Sequence, residues 1–357
     1  MNISAILQSK VFTKFTICAF FLILGAFPVK VFSQEAKAEK FDAGKTAMEH
    51  VADKHEWHLF GEQVVLPLPI ILYTDKGLEF FSSAKLRPGG PAYKGSYYNY
   101  TLVNDKIKVA DETGKADETA TKKIWDFSIT QSVAGMWLSV FILLFIFLSV
   151  ASAYKKREGK APKGLQSFME PVILFVRDDI ARPNIGLKYE RFMPLLLTIF
   201  FFILLNNFFG MIPFFPGAYN LTGNIAVTFT LAFIIFLVIN LNGNKYYWKH
   251  IFVPNPWWLF IIMIPVEIVG IFSKPLALMI RLFANMLAGH IVIIALVSLI
   301  FIFNTLWISP VSVAFAVFID VIEVLVVILQ AYVFTILSAL FIGMAVEEHH
   351  ESHTEVI

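Results

Sequence analysis

From residue 132 onward the chain is written in long apolar runs separated by short polar ones. The first, SVAGMWLSVFILLFIFLSVASA over 132–153, is long enough to cross the hydrocarbon of a bilayer as a helix, which takes about 20 residues. Runs over 192–215 and 225–241 follow without a charged residue, and two longer ones occupy 257–303 and 309–346. The pattern predicts an all-α polytopic membrane protein with about five transmembrane helices, the last two long and tilted as an antiparallel hairpin. At some 47 residues the fourth run exceeds what an upright helix uses, so it is expected to be strongly tilted, bent or broken. Ahead of these runs the periodicity changes. QVVLPLPIILYT and GSYYNYTLVNDKIKV are strand-like and are broken by Asp75-Lys76-Gly77 and Arg87-Pro88-Gly89-Gly90, which predicts a small β-containing segment over 34–125 that ends in an acidic linker, ADETGKADETATKK. LQSFMEPVILFVRDDIARP mixes apolar and charged residues and is expected to lie along a membrane surface rather than through the bilayer.

Charge placement orients the spans. Nine Lys or Arg crowd the loop over 154–191, and Lys245 and Lys249 occupy the loop over 244–256, while the loops near Ala218 and Trp307 hold none. Alternation of basic and uncharged loops fits five spans with the N-terminus outside and the C-terminus in the cytoplasm. Residues 1–33 carry Lys10 and Lys14, an apolar run and Val31-Phe32-Ser33, the signature of a cleavable signal peptide, so 34–125 is expected to be exported to the periplasm of a bacterial inner membrane. The membrane domain then covers 126–350 and a cytoplasmic tail 351–357.

Composition agrees with this assignment: of 357 residues, 57% are hydrophobic, 37 are phenylalanine and only 16% are charged. The net charge of +2 carries little information because acids and bases are segregated along the chain. One cysteine, Cys18, leaves no disulfide framework and no thiolate metal site. His50, His55 and His58 lack a ligand spacing and are read as a solvated surface, as are His349, His350 and His353 in the tail; no cofactor or metal is expected.

Candidate chemistry concentrates between residues 257 and 346, whose acidic, basic and histidine residues are Glu267, Lys274, Arg281, His290, Asp320 and Glu323. A charge at mid-bilayer costs about 2.5–3.5 kcal/mol on insertion scales, so each is a functional suspect. Lys274 has a structural explanation, through its long stem or a pairing with Glu267 two turns away. Arg281 has none, because guanidinium cannot neutralise itself and needs polar neighbours, water or a partner that comes and goes. In an antiparallel hairpin, residues at one depth have numbers that add to a constant. That places Arg281 level with Gln330 and His290 level with Glu323. Asp320, Glu323 and Gln330 share one stripe of their helix, Asn285 follows Arg281 by one turn, and Glu267 lies toward the cytoplasm. The arrangement predicts two offset half-paths for protons separated by a fixed positive charge.

SKPLALMIRLFANMLAGH together with LQAYVFTILSALFIGMAVEEHH resembles subunit a of F-type ATP synthases over about 130–350. The resemblance implies a non-catalytic proton-translocating stator whose partners are the c-ring, the peripheral-stalk subunit b and the rest of the complex, within the lipid bilayer and without nucleic acid. Residue by residue, it places the family's arginine on Arg281, its asparagine on Asn285, its glutamine on Gln330 and its cytoplasmic acid on Glu267. His290 and Glu323 exchange the acid and base of many bacterial members, as in the mitochondrial version. Ala284 stands where a glycine is frequent and Phe341 where a tyrosine is common. A self-contained channel or secondary transporter is the competing reading, disfavoured by the lack of an internal repeat. Paired axial ligands and a nucleophile–base set are missing from the apolar core, which argues against an enzyme.

Overall fold

A computed structural model describes residues 53–60, 64–86, 90–103, 105–111, 114–212, 215–217, 219–252, 260–303 and 309–346. The expected signal peptide, Cys18, His50 and the tail histidines lie outside the described residues.

The N-terminal part folds as small antiparallel sheets. Strands β1 (Glu56–Phe60) and β2 (Val64–Pro67) pair; β3 (Pro69–Thr74) lies between β4 (Gly77–Ser82) and β9 (Trp125–Asp126); β5 (Tyr93–Lys94), β6 (Asn99–Val103), β7 (Lys106–Ala110) and β8 (Ala116–Asp117) form a third sheet in that order. Alternation in PIILYT turns Ile70 and Leu72 inward, where Phe81, Tyr100, Ile107 and Val109 complete the core. The β3–β4 hairpin closes at Asp75-Lys76, followed by Gly77 at a positive φ of 141°, a backbone conformation that suits glycine.

The acidic stretch expected to be a linker is instead part of this fold. Asp117 caps the one-turn helix Glu118–Thr121 by accepting from the Thr119 and Ala120 amides, and Trp125–Asp126 adds an edge strand to β3. Polar residues read as a linker here because short edge strands and caps use the same polar residue types.

Seven helices follow. They are α1 (Gln131–Lys156), α2 (Leu165–Phe175), α3 (Tyr189–Met211), α4 (Ile225–Asn242), α5 (Lys245–Phe252), α6 (Phe260–Phe303) and α7 (Ser309–Val346). Thr130 caps α1 by accepting from the Val133 amide, and Asn224 caps α4 through Ala226. Five helical segments are long and apolar enough to cross a membrane. The chain is therefore an all-α polytopic membrane protein with an added β-containing N-terminal part.

Two features refine the sequence reading. Residues 165–185 form α2, a π-helical turn at Val176–Ala181 and a short turn at Arg182–Ile185, and the TM-length helical path runs on to Met211. Val176, Ile180 and Ala181 are fully buried, and a Cβ on Gly343 of α7 would collide with the Asn184 carbonyl. The amphipathic stretch is thus built into the bundle by its apolar side. α6 is continuous through Pro265 and Pro275 over 44 residues, not broken. At 1.5 Å per residue it is about 66 Å long, so steep tilt or overhang must reconcile it with about 30 Å of hydrocarbon.

α7 packs along both α6 and α3. Ala331, Phe334, Ala339 and Ile342 meet Leu196, Phe200 and Ile203 of α3 and Leu278 and Leu282 of α6 in one buried cluster. The small residues let the helices approach closely, which is how helices gain contact where lipid already solvates apolar surface.

Candidate functional site

Three contacts set the register of the α6–α7 hairpin. Ser312 donates to the Leu296 carbonyl, Gly289 lies against Glu323, and the Lys274 ammonium sits 5.6 Å from the centre of the Phe341 ring. A Cβ on Gly289 would stand 2.6 Å from Glu323 Oε1, so glycine is what allows this carboxylate into the gap. Glu323 therefore lies at the depth of His290, and Gln330 lies within about one turn of the depth of Arg281.

Depth is shared, but exposure is not. Glu323 and Gln330 are buried, at 7% and 5% exposure, whereas Arg281, Asn285 and Asp320 are exposed and Glu267, Lys274 and His290 are half-buried. Asp320 consequently stands at the rim of the stripe it was expected to share with Glu323 and Gln330, since a three-residue step leaves a 60° offset around a helix. No hydrogen bond joins Arg281 to Gln330, and Arg281 makes no ion pair among the described residues. Glu323 Oε1 is buried without a hydrogen-bond partner among the described residues. The exposed surface of the α6–α7 hairpin is largely apolar along its length, with Leu276, Ile280, Val292, Phe318, Val321 and Leu329 all exposed.

A second polar cluster escaped the sequence reading. Asn206 and Asn207 of α3, Tyr219 and Thr222 of the α3–α4 connection, and Ser139 of α1 are each at most 3% exposed. The Tyr219 hydroxyl lies 3.2 Å from both the Gly135 carbonyl and Asn206 Oδ1, and Thr222 donates to Asn207 Oδ1 at 2.6 Å. Burial pushes the Tyr219 hydroxyl well above the usual tyrosine range, so it remains a donor. Two glycines make room. A Cβ on Gly135 would fall 2.5 Å from the Tyr219 ring, and one on Gly210 would press on Met286 and stand 4.0 Å from His290 Nε2. The cluster thus adjoins the His290–Glu323 layer. Its available signal was the Asn206-Asn207 pair inside an apolar run, because buried amides in a span require partners.

The end of the bundle beside this cluster carries the β-structure. Lys54 accepts from the Gln131 amide, Asp53 accepts from the Ser132 amide, and the Trp57 indole donates to the Gly217 carbonyl while its ring packs on Phe215 and Tyr219. His55, read from sequence as solvated, is 7% exposed with Nε2 3.5 Å from Asp126 Oδ2. Burial opposes the Asp126 charge, yet the nearby His55 ring and the hydrogen bond from Ser128 outweigh it and hold the carboxyl below the usual aspartate range.

The sequence model of the ATP synthase A chain family matches residues 133–343, the whole helical region that holds both polar clusters. The chain belongs to this family. It is 53% identical over 235 residues to ATP synthase subunit a of Chloroherpeton thalassium, covering 64% of this chain and 69% of that one. To ATP synthase subunit a 2 of Prosthecochloris aestuarii it is 47% identical over 236 residues, 64% and 71% of the two chains. To ATP synthase subunit a of an Anaeromyxobacter species the identity is 45% over 237 residues, 63% and 56% of the two chains. Residues 46–127 match a different model, a domain of unknown function (DUF8433). The ATP synthase A chain region and the β-structure are therefore separate units of sequence joined in one chain.

Proposed function

We propose that this chain is the non-catalytic, proton-translocating stator of an F-type ATP synthase, set against the c-ring and held by subunit b. The observation that carries the reading is Arg281. It is a permanent cation on an exposed, largely apolar face, within about one turn of the depth of a buried glutamine and a few turns from a buried carboxylate. Such a residue is costly in lipid and becomes favourable opposite a moving carboxylate, whose anionic form it stabilises in a low-dielectric interface.

His290 and Glu323, with Asn206, Asn207, Tyr219 and Thr222, line the half-path on the β-structure side, and Glu267 serves the half-path on the other side. Arg281 separates the two, with Asn285 and Gln330 as its polar neighbours, while Asp320 stands exposed beyond Glu323 at the mouth of the first half-path. A proton then crosses only by riding the rotor, which converts proton flow into rotation. In this reading the protein sits in a bacterial inner membrane with the β-structure in the periplasm and the C-terminus in the cytoplasm, consistent with the placement of its basic loops.

The deciding experiment is Arg281→Ala in the assembled complex, reconstituted in vesicles. ATP-driven proton pumping is expected to vanish while ATP hydrolysis by the head continues. An assembled variant that pumps at the parental rate would overturn the reading.

A further inference from the structure

The segment Asp53–Trp57 crosses the end of the bundle like a strap. At one side Asp53 and Lys54 hold the first amides of α1; at the other, Trp57 is seated on Phe215, Gly217 and Tyr219. Both attachment points border the buried polar cluster. From α1, Gln131, Ser132, Gly135 and Ser139 form a buried face at four-residue spacing that descends to Tyr219 and Asn206. At the middle of the strap stands His55. Its ring is buried, neither ring nitrogen has a hydrogen-bond partner among the described residues, and Nε2 stands 3.5 Å from Asp126 Oδ2, whose side chain is 40% exposed. The pair therefore has one member in contact with solvent and one turned away from it.

We propose that His55 and Asp126 are the outermost proton-exchange pair of the half-path that runs through Tyr219, Asn206 and His290, so that the β-structure is a working part of the path and not a passive appendage. This rests on the proton-translocating reading above. The step balances within one imidazole. Nε2 takes a proton delivered across the Asp126 carboxylate, giving imidazolium; Nδ1 releases its proton to water on the side of the polar cluster, leaving the Nε2–H tautomer, and a turn of the ring restores the starting tautomer, so one proton passes per cycle with no change in electron count. The Asp126 carboxylate, 3.5 Å from Nε2 and partly open to solvent, is placed to pass protons between water and the buried ring. Asp126 is the charged group recorded against the ring. The Asp53 carboxylate is engaged with α1, Lys54 holds α1 through its backbone carbonyl and keeps a half-exposed ammonium beside His55 in the strap, Glu56 is half-buried, and Gln131 beneath is neutral.

The test uses the whole ATP synthase in vesicles, with synthesis driven by imposed pH gradients and the two sides buffered separately. His55→Gln and Asp126→Asn are each expected to lower proton-driven synthesis several-fold. They should also move its dependence on the pH of the β-structure side, with the dependence on the opposite side unchanged and ATP hydrolysis retained. In His55→Ala, added imidazole should restore part of the rate, which a packing role would not allow. Asp126→Asn leaves the buried ring in place and keeps the proposal testable if His55 variants assemble poorly. Parental rates with an unshifted pH profile in assembled Asp126→Asn and His55→Gln complexes would overturn it. Failure here leaves the Arg281→Ala result untouched, so the two readings are judged separately.

Discussion

Arg281 shows how one side chain can be read twice. As a lone cation in an apolar run it is an expense; on the open face of α6, with Gln330 buried near its depth, it becomes the gate of the proposed function. Charge alone does not reproduce a planar fork, so Arg281→Lys is expected to retain little coupled pumping in assembled complexes, measured by quenching of a pH-sensitive dye. The His290–Glu323 layer gives a second outcome. His290→Glu with Glu323→His keeps an acid and a base at one depth and should transport more protons than either single change, each of which leaves two like groups. Normal transport in both singles with loss in the double would break the pairing. These residues were legible because ionisable groups stand out in apolar runs. His55 was not, since three histidines in a polar stretch look solvated until the strap that buries one of them is known.

At the scale of elements, period and length identified the five long helices, and the fifth run, 309–346, coincides with α7. The acidic stretch over 110–123 misled because its strand Ala116–Asp117 is two residues long and its helix a single turn, below what any periodicity can register. The close approaches of helices were equally invisible. Gly135 carries nothing in sequence to mark it, yet Tyr219 fills the space where its Cβ would be. Gly135→Ala should displace Tyr219 from Asn206 and cost about 1–3 kcal/mol of stability, seen as a lower midpoint of thermal inactivation of the complex. Gly289→Ala presses on a carboxylate oxygen instead, and is expected to impair transport more than stability, because Glu323 must turn out of its gap.

For the molecule as a whole, the β-structure and the helical bundle meet through few groups, and acid should test that joint. Asp126 is held below its ordinary range, so its contribution is present above the unfolded value near about 4 and is lost as pH falls through the lower folded value. Acidification of the β-structure side into that range should expose the 53–57 strap to protease before the helices lose their ellipticity. Asp126→Asn should remove this acid-sensitive step. A strap that stays protected to the pH at which the bundle unfolds would contradict the assignment.

The open face around Arg281 also bears on the life of the subunit before assembly. A chain newly released into the bilayer presents a bare guanidinium and a broad apolar wall to lipid, with nothing yet to receive the charge. The surface proposed to couple protons to rotation would thus label an orphan as incomplete. Cells lacking the rotor subunit are expected to clear this chain quickly, in a pulse-chase, while Arg281→Ala lengthens the orphan's lifetime even as it abolishes pumping. Quality control and energy conversion would then read one charge at two moments of the protein's history.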